Sequence, residues 1–150
     1  MLNFLEKEKL FSLSEENVQT LLDWWKPSFG DLFTDIYFKN EKLYPRRFCY
    51  KVEVGEEEEE GIIFILSPGV NELFYEKSQV IPLFNENQLK DFIEEKIGKI
   101  LVLDFSLKDT IKIVLNCNKE NLNFNFTNTK LIDCYFDIIK RYFDGSLIVK

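Results

Sequence analysis

The residue types that most often carry chemistry are thinly represented in these 150 positions, and histidine is missing altogether. Histidine titrates near neutral pH and is the commonest metal ligand. Its absence removes Ser-His-Asp triads, Cys-His dyads, histidine-based zinc sites and most transition-metal centres together. Cys49, Cys117 and Cys134 are far apart and form no CxxC pair. That spacing suits neither a zinc site nor a disulfide framework, and their aromatic and aliphatic neighbours point to small, reduced hydrophobes. The six glycines never approach the GxGxxG or GxxxxGK[ST] spacing that cradles phosphate. Neither a cofactor nor a metal is expected.

Carboxylate chemistry needs only Asp, Glu and Lys, as in glycosidases and magnesium-dependent nucleases. A restriction-type nuclease site would set an Asp and an acid-x-Lys pair on adjoining strands. Here Glu94-x-Lys96 falls inside a helical pattern, and Glu6, Lys7, Glu8 and Lys9 precede the first patterned element. No catalytic residue is assigned, and a carboxylate-dependent enzyme is kept as an alternative.

Binding residues stand out more. Glu56, Glu57, Glu58, Glu59 and Glu60 are consecutive and bracketed by Gly55 and Gly61. Five like charges repel one another and resist burial, so they belong in a solvated hairpin loop. The same run can also act as an acidic lure that speeds encounter with a basic surface. Trp24 lies beside the apolar stripe of its helix, where it either packs into the core against the sheet or, half exposed, anchors a partner through its amphipathic indole. These six residues are the expected partner-binding set. Asn121, Asn123 and Asn125 form a row of amides able to hydrogen-bond bases or a peptide edge, or simply to face solvent. Arg46 and Arg47 follow Tyr44 and Pro45, an aromatic-basic cluster too small to outweigh a net charge of −7.

That charge sets the partner class. An acidic chain repels nucleic acid and anionic lipid, so a protein with a basic surface is the expected partner and nucleic acid is not. The longest purely apolar stretch, Ile62 to Leu66, is far short of a membrane span. The opening MLNFLEKEKL alternates charge with apolar residues, unlike a secretory leader, so a cytoplasmic location is expected. There is no Ala at all, while Phe, Asn, Lys and Ile are abundant. This is the signature of an AT-rich gene, common in bacteria and phages of low GC content. Together these features lead to a small acidic inhibitor or immunity-type protein that neutralises a toxin or nuclease by masking its functional surface. An accessory or assembly subunit of a larger complex is the first alternative.

The elements that must position these residues follow from periodicity. The chain length suits a single domain over 1–150, which buries roughly 70% of its unfolded surface. Ser12 with Glu15 has capping-box spacing, and Val18, Leu21, Leu22 and Trp25 then recur at helical intervals up to Pro27. A strand is expected from Leu32 to Phe38. Another runs from Phe48 to Val54, where apolar and polar residues alternate, with Ile62 to Leu66 as its hairpin partner. Short strands are expected near Leu73 to Tyr75 and before Pro82. Asn85 and Gln88 open a second helix whose stripe is Leu89, Phe92, Ile93 and Ile97, ended by Gly98. Ile100 to Phe105, Ile111 to Asn116 and Leu122 to Thr127 read as an antiparallel meander. A last helix from Lys130 to Asp144 carries two adjoining apolar stripes, Gly145 ends it, and Ser146 to Lys150 is expected to add a short strand. The whole is α+β, a mainly antiparallel sheet with helices packed against it.

Overall fold

The structure, a computed structural model, describes residues 4–26, 31, 33–35, 51–54, 60–67, 70–76 and 80–147. The fold is α+β, with every described strand pair antiparallel. The strands fall into three separate ladders. Close Cα neighbours divide the chain into two compact units, one holding Glu6–Phe84 and the other Asn85–Lys150 together with Leu5.

In the first unit, α1 (Lys7–Leu10) is a single turn that buries Leu10, formed by residues expected to precede any structure. α2 (Glu15–Trp24) begins two residues later than the expected capping box. The cap is Ser14, whose hydroxyl accepts from the Asn17 N–H at 3.2 Å. Ser12 is unavailable because its hydroxyl donates to the Lys9 carbonyl at the end of α1. Val18, Leu21 and Trp25 are buried, and the Trp25 indole N–H donates to the Asp31 carboxylate at 3.0 Å. β1 (Phe33–Asp35) pairs with β5 (Val80–Pro82), placing buried Phe33 opposite Pro82. β2 (Lys51–Val54), β3 (Glu60–Ser67) and β4 (Val70–Glu76) form a meander in that order. The expected hairpin is therefore present, with Val54 opposite Glu60. Leu32, residues 36–38 and residues 48–50 of the two expected strands lie outside the described residues.

The second unit is built on β6 (Lys99–Asp104), β7 (Thr110–Cys117) and β8 (Glu120–Thr127), again a meander in sequence order. Asn118 and Lys119 both have positive φ, 51° and 67°, which makes the two-residue turn whose twist suits a β7–β8 hairpin. Strict alternation turns Ile111, Ile113 and Leu115 of β7 to the covered face, where they are buried. α3 (Glu86–Lys96) and α4 (Leu131–Asp144) pack on each other. The Asn85 side chain accepts from the Gln88 N–H and the Gln88 side chain from the Asn85 N–H, both at 2.8 Å, completing the capping box. On α4 the residues Ile132, Tyr135, Phe136 and Ile139 form one buried stripe and Cys134 and Ile138 another, so more than one element covers this helix. Gly145 ends it in the left-handed region with φ 79°. Ser146 and Leu147 continue as turn instead of the expected strand, and 148–150 lie outside the described residues.

Candidate functional site

Of the residues expected to bind a partner, Trp24 and Glu60 lie among the described residues. Glu56, Glu57, Glu58 and Glu59 lie outside the described residues, as do Tyr44, Pro45, Arg46, Arg47 and Cys49. Glu60 belongs to the backbone of β3 and not to the loop, because the ladder with β2 extends to its register position. Trp24, the last residue of α2, is half-buried with its ring centroid 6.5 Å from that of Phe84. Of the acid-x-Lys pair, Glu94 and Lys96 are both exposed on α3, and Glu94 is 3.7 Å from Lys90 in an ion pair. Among the described residues no three His, Cys, Asp or Glu side chains gather to hold a metal. Cys134 is buried, and burial, reinforced by Asp133 and Asp137, pushes its thiol up to about 11, far from the reactive thiolate range. The Asn row is where the alternation places it: Asn121, Asn123 and Asn125 are exposed, and the Asn116 side-chain amide donates to Asn121 at 2.9 Å.

What the structure does bring together is an apolar edge. Among the described residues β6 pairs with β7 alone, so there its other side ends the sheet. Its sequence is KILVLD, without a polar residue between the two terminal charges. Leu101, Val102 and Leu103 are all exposed, Leu101 to 48%. Val102 and Leu103 point to opposite faces, so the exposure of both leaves each face incompletely covered along this edge. Leu101 is also an extra residue: Ile100 pairs with Leu115 and Val102 with Val114, a β-bulge. The bulge fixes the faces. Ile100 and Leu103 share the covered face with Leu115 and Ile113, while Lys99, Val102 and Asp104 share the outer face with Asn116, Val114 and Lys112.

Beyond the strand, the turn to β7 is held by its own hydrogen bonds. The Asp104 carboxylate accepts the Ser106 N–H at 2.8 Å. That bond, then one from the Ser106 hydroxyl and the field of Lys112, holds Asp104 below the usual carboxylate range, so it is fully charged at neutral pH. The Thr110 N–H reaches the Leu107 carbonyl, and the Asn128 N–H reaches that of Asp109, which sits at φ 57°. A turn fixed in this way presents Phe105, 55% exposed, and Leu107, 70% exposed, without the freedom of a loose loop. Apolar and aromatic side chains on a preorganised backbone are what a protein interface uses as anchors.

None of these residues stands out in the sequence as binding. The available signal is topological: the first strand of a three-strand meander is an edge unless another element pairs with it, and an uninterrupted apolar run there is a docking template. No protein-family model, curated protein or solved structure matches the chain.

Proposed function

We propose that the protein is a small acidic protein-binding module of the inhibitor or immunity type. It acts in the cytoplasm by laying the β6 edge and the Phe105–Leu107 turn against a basic toxin or nuclease. The observation that carries this reading is the exposed row Leu101, Val102, Leu103, Phe105 and Leu107. Exposed apolar side chains of this kind, on a strand paired along one side among the described residues, are kept where a partner covers them, because uncovered they promote aggregation. Strand addition supplies main-chain hydrogen bonds, and the side chains on alternating faces supply specificity. The net charge of −7 favours a basic partner by steering its approach.

The test is co-expression with the product of the adjacent reading frame, scored by survival of the host. Wild type is expected to protect, whereas Val102→Lys, with unchanged far-UV circular dichroism, is expected to lose protection. A Val102→Lys variant that protects as well as wild type contradicts the reading. Replacing Glu56 to Glu60 with Ser or Gly is expected to slow association at low salt while leaving the fold intact.

A further inference from the structure

The two ends of β6 carry opposite charges, Lys99 at its start and Asp104 at its end, with only apolar residues between. In a regular six-residue strand these two would point to opposite faces, because the side-chain period is two. The bulge at Leu101 removes that mismatch and sets Lys99, Val102 and Asp104 on one face, Ile100 and Leu103 on the other. With Leu101 bulged out, the strand is self-complementary. Two antiparallel copies related by a two-fold axis place Val102 against Val102, Ile100 against Leu103, and Lys99 against Asp104 at both ends. Each pair joins residues of the same face. Parallel pairing in register would instead set Lys99 against Lys99 and Asp104 against Asp104, which like charges oppose.

We infer that the occupant of the β6 edge in the free protein is a second copy of this chain, paired antiparallel about Val102 into a continuous six-stranded sheet. The inference rests on the reading of β6 as a docking edge, and it adds regulation: self-pairing masks the edge until a partner competes for it. A further observation fits this register. Asp104 already lies opposite Lys112 of its own sheet. The second copy's Lys99 completes an alternation of charge across the junction, an arrangement that favours cross-strand pairing.

Sedimentation equilibrium of the full chain and its variants tests this. Wild type is expected to move from 17.9 kDa toward twice that mass as concentration rises. Val102→Lys sets two like charges on the two-fold axis, and it is expected to stay at the monomer mass. Lys99→Glu and Asp104→Lys each create two like-charge pairs and are expected to be monomeric alone. Mixed together they pair again, because Glu at position 99 then faces Lys at position 104 and Asp104 faces Lys99. If Asp104→Lys fails to fold for want of its bond to Ser106, Val102→Lys and Lys99→Glu decide the matter. A dimer that survives both of these overturns the inference. A wild type at 17.9 kDa throughout overturns it as well, and the survival assay then separates the two readings. Loss of protection by Val102→Lys leaves the docking edge standing, while full protection removes it too.

Discussion

β6 and β8 are the two outer strands of one sheet, and they treat the same exposure in opposite ways. Across the covered face the row Leu103, Ile113 and Phe124 runs from one edge to the other. Ile113 and Phe124 are buried, and the Arg141 guanidinium of α4 lies 5.4 Å from the Phe124 ring. Leu103, in the same row, remains 38% exposed. Across the outer face the row Val102, Val114 and Asn123 shows the same contrast in composition. The β8 edge alternates strictly, apolar inward and amide outward, so any further strand would gain little from pairing with it. β6 does not alternate, and no charge interrupts it. Edge strands are usually guarded by charges within the strand, prolines or short length. Here β8 carries a polar guard, and β6, among the described residues, carries none between its two ends.

The largest effect that can break this comparison is on stability. Phe124→Ala is expected to cost about 3–5 kcal/mol, as for other buried Phe truncations, whereas Leu103→Ala costs less than about 1 kcal/mol at concentrations where the chain is monomeric. Chemical denaturation measures both. Equal losses would mean that the two edges are equally covered.

The dryness of the helix-covered side is tested by pH. The Cys134 thiol has a folded value of about 11 against an ordinary 9.0. The folded state thus holds its proton more tightly than the unfolded chain. The stability this represents is complete below pH 9 and is lost as pH rises through 11, in total about 2–3 kcal/mol. The neighbouring Tyr135 hydroxyl is also raised, chiefly by burial, and it contributes in the same direction. Removing the thiol in Cys134→Ala is expected to make the fall in stability above pH 9 shallower. An unchanged slope would show that this face is wet.

Much of the comparison was legible in the sequence, and the reason lies in period. Leu122, Phe124 and Phe126 alternate with Asn121, Asn123 and Asn125, so β8 declares both faces. Asn85 with Gln88, and the two stripes of α4, declare their helices with equal clarity. β6 is opaque for the opposite reason: a run such as KILVLD reads the same whether buried at the centre of a sheet or bare at its edge. The bulge at Leu101 changes which residues share a face, and no residue type announces it. α1 is invisible in the sequence because one helical turn is too short to show a period. The cap of α2 is ambiguous because Ser12 and Ser14 are chemically alike, and only the prior engagement of Ser12 with Lys9 decides between them. Glu56 to Glu60 and Trp24 stand out in the sequence by charge and size. The residues that form the open edge are distinguished by strand order alone.

A smaller effect concerns how β6 is anchored. Gly98 precedes the strand against the Asn116 backbone, and its N–H closes α3 on the Ile93 carbonyl at 3.0 Å. Gly98→Ala forces the start of β6 away from β7 and is expected to cost about 1–3 kcal/mol, with loss of amide protection at Lys99 and Ile100. Full stability in this variant would show that the approach is looser than described.

The smallest effect on stability sharpens the contrast between the edges most. Val102→Asn and Asn123→Leu exchange the character of the two outer strands at exposed positions of one row, and each is expected to change stability by no more than about 0.5 kcal/mol. Val102→Asn should lower self-association, while Asn123→Leu should raise it by opening a second edge. Light scattering against concentration distinguishes them, and identical behaviour would deny that edge composition controls association.

The most direct measurement is hydrogen exchange of the β6 and β8 amides at low and at high protein concentration. Outward amides of β6 from Lys99 to Asp104 are expected to become protected as concentration rises, while those of β8 exchange at the same rate throughout. Protection that is independent of concentration in both strands, or that grows equally in both, contradicts an open β6 edge closed by a second copy.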